Sequence, residues 1–152
     1  MIPVQSFRYV GLAFAKAFGW GIGRASAWGI ETLDREILQL SRLDEPALLV
    51  VIGRRGNRPE VAVGLEALGV GGADLGGDAA GRGSTIVEGL LPWARARICP
   101  HRDRILAMVD SPEVAVIRSA AGWLVDGLPG ALLAPMATLL VKRGLPLLCG
   151  PC

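Results

Sequence analysis

The chain has few cysteine, histidine and aromatic residues, and its positive and negative charges nearly cancel. Three cysteines in 152 residues are too few for the disulfide framework of a small secreted protein. Because His101 is the only histidine and no Gly-x-Ser-x-Gly sequence occurs, the sequence gives no support to a Ser–His–acid triad. A net charge of +2 is too small to imply a nucleic-acid partner, and none is expected.

The chain is rich in apolar residues. Its 51% hydrophobic and 20% charged residues exclude a disordered protein. A length of 152 residues argues for a single domain over residues 1–152. The N-terminus lacks the basic segment and clean apolar run of a signal peptide, so a cytoplasmic location is expected.

Two apolar stretches are candidate membrane segments. Residues 9–30 contain Lys16 and Arg24, each of which costs about 2.5–3.5 kcal/mol at the centre of a membrane helix. Residues 127–141 are uncharged, but 15 residues are fewer than the roughly 20 that a span needs. The sequence therefore favours a soluble protein, and association with a membrane stays an open alternative. Separately, the excess of apolar residues allows a homodimer.

The pattern of apolar residues predicts alternating strands and helices. Apolar residues recur every three or four positions over residues 22–43, which predicts an amphipathic helix. Glycine and proline punctuation predicts further helices over 59–68 and 129–143. A further helix is predicted over 86–97, with Ser84 or Thr85 as its cap. Short aliphatic runs predict strands at 47–52, 105–109 and 145–148, while 7–15 is either a strand or a helix start. Residues 113–117 (EVAVI) form either a strand or a helix capped by Ser111. Strands separated by helices favour a three-layer α/β domain with a mostly parallel sheet.

A glycine-containing turn precedes the first predicted helix. Gly19, Gly21 and Gly23 allow the backbone to approach a phosphate, and Arg24 lies in the first turn of the helix. The segment resembles the phosphate turn of Rossmann-type proteins, and its GIGRA sequence is similar to that of short-chain dehydrogenases. It departs from that family at Ala17, which replaces its first glycine, and the chain has no Tyr-x-x-x-Lys pair. The alternative is a helix-packing face of small residues.

A second resemblance concerns the C-terminal half of the chain. Residues 113–137 (EVAVIRSAAGWLVDGLPGALLAPMA) are similar to the end of a family of small uncharacterised bacterial Rossmann-like domains. The match includes Gly130 and Met136-Ala137, while Ala131 replaces an acidic residue of that family. The resemblance implies a strand at EVAVI and a Rossmann-like fold, and it implies no activity.

These observations predict a protein that binds a nucleotide or another small phosphate-bearing ligand, with an unknown reaction and no identifiable catalytic residue. Arg54 and Arg55 follow the strand predicted at 47–52, where an arginine suits a 2′-phosphate, so the predicted cofactor is NADP or another nucleotide. The alternative for these two arginines is a solvated turn. The alternative is a non-enzymatic interaction or membrane-associated protein that uses the Ala/Gly-rich N-terminal helix. A Gly21→Asp change separates these interpretations.

The glycine-rich loop over residues 68–81 suggests a further alternative. It resembles a glycine/aspartate loop of hydrogenase maturation proteases, which implies nickel binding by Asp74 and Asp78. The other ligands of that family have no counterpart in this chain. The alternative structural interpretation is a surface loop.

The cysteines allow three interpretations. Cys149-Gly150-Pro151-Cys152 spells the thioredoxin redox motif, although no helix follows it in this chain. Cys99 and His101 can instead join the last two cysteines in a zinc site, or the C-terminal segment is a frayed tail. Arg95, Arg97, Arg102 and Arg104 surround His101 and form either a phosphate-binding patch or a solvated face.

Overall fold

The structure is a computed structural model that describes residues 22–70, 77–108 and 110–150, with side chains from residue 31 onward. Every regular element in these ranges is helical, so this part of the chain contains no parallel sheet. The predicted α/β fold and both Rossmann-like resemblances are therefore wrong. The elements are α1 Ile22–Leu40, α2 Glu45–Gly56, α3 Pro59–Ala67, α4 Ala79–Ile98, a 3₁₀ turn Cys99–His101, α5 Arg102–Leu106, α6 Glu113–Leu124, α7 Gly130–Arg143 and α8 Leu145–Cys149.

The strand predicted at 47–52 lies inside α2. An uninterrupted aliphatic run does not by itself distinguish a buried strand from a buried helix. The preceding residues decide the outcome, because the Asp44 carboxylate accepts a hydrogen bond from the Ala47 backbone N–H at 2.9 Å. Pro46 lies in the first turn, where its missing N–H does no harm. The Asp-Glu-Pro sequence therefore begins a helix.

The other predicted strands within the described ranges are helical for a similar reason. Residues 113–117 begin α6, which follows Pro112 and receives no side-chain cap from Ser111. Residues 145–148 belong to α8, with Pro146 in its first turn. Residues 105–106 end α5. A proline at a helix start thus outweighs the strand preference of two of these runs. Residues 7–15 lie outside the described ranges.

The helix predictions are confirmed. Helices α1, α3 and α7 fall within or close to the predicted segments 22–43, 59–68 and 129–143. Helix α4 includes residues 86–97 but begins at Ala79, because Asp78 accepts a hydrogen bond from the Gly81 N–H at 2.7 Å and caps it. Ser84 and Thr85, the predicted caps, lie inside the helix.

Helix α7 lies at the centre of the helical assembly. Residues 132–140 are all buried, and the helix contacts α1, α2, α3, α6 and α8. Thr138 is the polar residue in this segment, and its hydroxyl donates to the Ala134 carbonyl at 2.7 Å. Its burial therefore leaves no unpaired hydroxyl donor.

A proline inside α7 creates the acceptor that joins three helices. Pro135 has no N–H, so the Ala131 carbonyl receives no helical hydrogen bond from it. Arg55 of α2 donates to that carbonyl from Nη1 at 2.9 Å. The same nitrogen lies 2.6 Å from Oε2 of Glu36 on α1. Arg55 thus connects α1, α2 and the first turn of α7.

Two glycines bring α2 and α4 into backbone contact. A Cβ atom placed on Gly83 would lie 1.9 Å from the Leu49 carbonyl oxygen, and one on Gly53 would lie 1.8 Å from the Ala79 carbonyl oxygen. Ordinary contacts of a Cβ atom are about 3.4–4 Å. Any side chain at either position would therefore force the helices apart. On the same two helices, the side chains of Ile52 (α2) and Ile86 (α4) are fully buried.

The candidate membrane segments have different outcomes. Residues 9–30 lie mostly outside the described ranges. Residues 127–141 include most of α7, which packs against five other helices. Within residues 22–70, 77–108 and 110–150, no helix combines the length and the hydropathy that a bilayer span requires.

Candidate functional site

The residues predicted to bind a nucleotide lie on two separate helices, in so far as the structure describes them. Gly19 and Gly21 are outside the described ranges, whereas Gly23 and Arg24 belong to α1. Arg54 is exposed in the last turn of α2. Arg55 of the same turn binds Glu36, which follows Gly23 by 13 residues, or about 20 Å along a helix.

The structure therefore does not bring Gly23 and the guanidinium of Arg55 together. Binding of NADP by these residues stays a prediction, which a thermal-shift comparison of NADP with NAD would check.

The predicted nickel residues have one described member. Asp78 caps α4 through its Oδ1, which lies 2.7 Å from the Gly81 N–H. Asp74 lies outside the described ranges. Nickel binding stays a prediction, and the capping role already explains the acid at position 78.

Two cysteines that are distant in sequence meet in the structure. Cys99, at the end of α4, and Cys149, at the end of α8, form a disulfide with a Cα–Cα distance of 5.6 Å. Both residues are partly buried beside the apolar core. Cys152 lies outside the described ranges. The disulfide joins residues 50 positions apart.

Two of the four predicted zinc ligands are consumed by this disulfide. Zinc binds thiolates, and a disulfide offers none. Among the described residues, no group of three or more histidine, cysteine or acidic side chains could hold a metal ion. A zinc site built from Cys99, His101, Cys149 and Cys152 would require the reduced protein and stays a prediction.

His101 stacks on the aromatic side chain of Trp123. Its ring lies 3.6 Å from the Trp123 ring, centroid to centroid, with an angle of 7° between the planes. Burial, and to a smaller extent the positive charge of Arg104, lowers the pKa of His101 below its usual value of 6.5. Both effects favour the neutral imidazole at neutral pH.

Four arginines flank Cys99 in sequence, and we call them the arginine cluster: Arg95, Arg97, Arg102 and Arg104. Arg95 lies one helical turn before Cys99, and its Nε donates to the Leu148 carbonyl at 2.8 Å. Arg97 lies over the Trp93 ring, 5.4 Å from its centroid. Arg95 therefore contacts the residue next to Cys149 while sharing a helix face with Cys99.

A small apolar cavity lies beside Arg95 and the disulfide-bonded helix α8. Its volume is about 30 Å³, and Leu91, Leu140, Leu147, Leu148, Arg95 and Arg143 line it. Small-molecule pockets usually have volumes of about 300–1,000 Å³. This cavity is therefore too small for a nucleotide.

Sequence reasoning identified the residue types of this site but not their partners. Cys99, His101, Cys149 and the arginines are all visible as motifs, whereas Trp123 and Leu148 carry no sequence signal for their roles. An odd number of cysteines does indicate one unpaired thiol or an intermolecular pair.

No protein-family model matches the chain, and neither the curated proteins nor the solved structures contain a match.

Proposed function

We propose that the protein functions in thiol–disulfide exchange, with the Cys99–Cys149 disulfide as its reactive group. The observation that carries this proposal is a partly buried disulfide at the ends of two helices, beside Arg95. Cationic side chains favour the thiolate form of a cysteine, which is the form that attacks and the form that leaves. The site thus combines a partly exposed disulfide with a cationic side chain that is bonded to the residue before Cys149.

The chemistry needs a thiol as co-reactant. A thiolate attacks one sulfur of the disulfide, forms a mixed disulfide with it and expels the other cysteine as a thiolate. A second thiol then releases the mixed disulfide, so two electrons pass from the thiols to the protein. In the reverse direction, the two reduced cysteines transfer the electrons to another disulfide.

The surrounding contacts allow reduction without loss of the fold. Leu145 and Leu148 of α8 are buried, with 7% and 5% of their surface exposed. The hydrogen bond from Arg95 to the Leu148 carbonyl also holds α8 against α4. Closing a loop of 50 residues contributes about 4 kcal/mol in the chain-entropy model. Reduction therefore lowers the free energy of unfolding, while the contacts of α8 remain.

A redox titration tests the proposal. Protein is equilibrated in glutathione buffers of known potential and quenched with acid, and its free thiols are alkylated and counted by mass. Structural disulfides have potentials below about −300 mV, and exchangeable ones have higher potentials. We expect a potential above that limit and an unchanged helical circular-dichroism spectrum after reduction.

The control is Cys152→Ser, which keeps both cysteines of the disulfide and removes the third thiol. A potential below about −300 mV in this variant and in the wild type would make the disulfide a structural crosslink. Loss of the helical spectrum on reduction would have the same meaning.

A further inference from the structure

We propose that the small apolar cavity between α4, α7 and α8 docks the thiol substrate of the Cys99–Cys149 disulfide. The substrate is a peptide segment that carries an aliphatic and an acidic side chain beside its cysteine. The aliphatic side chain enters the cavity, and the acidic one binds Arg95. This inference rests on the proposed function and names the class of substrate for the same site.

The cavity is built from the two helices that end at the disulfide. Helix α4 contributes Arg95, one helical turn before Cys99, and α8 contributes Leu148, which directly precedes Cys149. Four residues of a helix extend about 6 Å, and an extended peptide covers about 3.3 Å per residue. A peptide with one side chain in the cavity therefore needs only one or two further residues to reach the disulfide.

The cavity favours the end of an aliphatic side chain over a water molecule. Its volume of about 30 Å³ is close to the share of one water molecule in the liquid. A buried water needs two to four polar partners, whereas four of the six lining residues are leucines. One of them, Leu147, has 70% of its surface exposed. An aliphatic group in the cavity would also remove part of Leu147 from water.

The charges at the cavity favour an acidic segment. Arg95 and Arg143 are the two charged residues that line it. Glu45 offsets the charge of Arg143, because its Oε1 lies 2.6 Å from the Arg143 Nη2. Arg95 donates from Nε to the Leu148 carbonyl, so a carboxylate would bind through Nη1 and Nη2. Arg95 is therefore the residue that distinguishes an acidic substrate from a neutral one.

The exchange step needs no oxidant. The peptide thiolate forms a bond to one sulfur as the Cys99–Cys149 bond breaks, and the electron pair of the broken bond leaves on the other sulfur. The proton of the peptide thiol passes to solvent, and the departing thiolate takes one up. Docking accelerates this step because it holds the thiol beside the disulfide.

Four peptides of one length test the two contacts separately. Each has a single cysteine, flanked by leucine and glutamate, leucine and glutamine, serine and glutamate, or serine and glutamine. Oxidised Cys152→Ser protein is mixed with excess peptide at low salt and quenched with acid at intervals, and the oxidised protein that remains is counted by mass after alkylation. Each rate is divided by the rate of the same peptide with hydroxyethyl disulfide, which corrects for differences in thiol pKa.

We expect the leucine–glutamate peptide to have the highest normalised rate. The carboxylate should contribute about two- to fivefold, which is the size of an exposed ion pair. The leucine should contribute about fourfold for each methylene that it buries.

Matched variants assign these ratios to residues. Arg95→Gln should remove most of the glutamate-to-glutamine ratio, and Arg95→Lys should retain it. The control is Arg97→Gln, which removes a charge two positions away, outside the cavity lining, and should keep most of the ratio. Leu147→Ser should lower the leucine-to-serine ratio, whereas Val63→Ser, at a position on α3 that is 68% exposed, should not. Each ratio compares peptides on one protein, so a change in the stability of the disulfide cancels.

Several results would overturn the inference. A normalised rate that does not depend on the leucine or on the glutamate would do so. Equal losses in Arg95→Gln and Arg97→Gln would show general attraction by positive charge, and a normalised rate for glutathione as high as that of the leucine–glutamate peptide would show that a small anionic thiol suffices. In these cases the disulfide still exchanges and only the docking fails. If the disulfide stays oxidised with every thiol down to about −300 mV, the proposed function itself fails.

Discussion

Replacing Gly83 with alanine tests the helix crossing on which the fold depends. The new methyl group would lie 1.9 Å from the Leu49 carbonyl oxygen, where ordinary contact requires about 3.4–4 Å. That oxygen belongs to the backbone of α2 and cannot rotate away, so α2 and α4 must separate by more than 1 Å. Overpacking typically costs about 1–3 kcal/mol, and a clash with backbone belongs at the upper end.

Alanine also favours the helical state by about 1 kcal/mol relative to glycine, which offsets part of the cost. The net loss is therefore about 2 kcal/mol or more in the free energy of unfolding. For a chain of this length that loss lowers the Tm by about 4–8 °C. The measurement is thermal unfolding followed by circular dichroism, with the free energy checked by urea denaturation.

Gly130→Ala is the matched control. Gly130 is the first residue of α7, and a Cβ atom there meets nothing within 4 Å. Removing the same glycine freedom without a clash should change stability by between zero and about 1 kcal/mol in the favourable direction. A Gly83→Ala variant as stable as Gly130→Ala would refute the close crossing of α2 and α4.

Three further predictions follow from other contacts. Arg55→Ala should lower the free energy of unfolding, measured by urea denaturation, by about 1–3 kcal/mol, because it leaves the Ala131 carbonyl without its donor. The control is Arg54→Ala at the neighbouring exposed position, and equal losses in the two variants would contradict the connection of three helices by Arg55. The pKa of His101 in the folded protein is lowered from 6.5. Its neutral form should therefore contribute fully to the free energy of unfolding above pH 6.5, and that contribution should decline as the pH falls toward the folded pKa. The His101→Phe variant keeps a ring on Trp123 and should show a smaller decline in Tm over that range, whereas an unchanged decline would contradict the assignment. Glutathione, which is anionic, should reduce the disulfide severalfold faster than cationic cysteamine at low salt. When reactions are quenched with acid at intervals, the ratio of the two reduction rates should decrease as added salt screens the charges of the arginine cluster. A ratio insensitive to salt would exclude attraction by these arginines.

The sequence predicts helices well where apolar residues alternate with polar ones, and poorly where a helix is buried on several sides. Residues 22–43 have a polar face, so their period is visible, and α1 is confirmed. Residues 47–52 lack that contrast because α2 packs against α4, α7 and α3. Its determinants were local: the cap from Asp44 and the early Pro46.

Close helix packing through glycine is likewise ambiguous in sequence. Small residues near Gly21 and Gly23 suggested either a phosphate turn or a packing face. The packing of this kind that the structure describes occurs between Gly53 and Gly83, which lie 30 residues apart in sequence. No local pattern pairs two such distant glycines, because the contact depends on how α2 and α4 cross.

The disulfide is also only partly predictable: the sequence shows the cysteines but not which of them pair. Three cysteines permit three pairings, and the shortest loop, Cys149 to Cys152, costs an unfolded chain the least entropy to close. The pairing in the structure closes a loop of 50 residues instead, so it requires α8 to be packed against α4. The contacts of Leu145, Leu148 and Arg95 meet that requirement. The Cys99–Cys149 pairing therefore depends on the docking of α8, and chain proximity alone does not predict it.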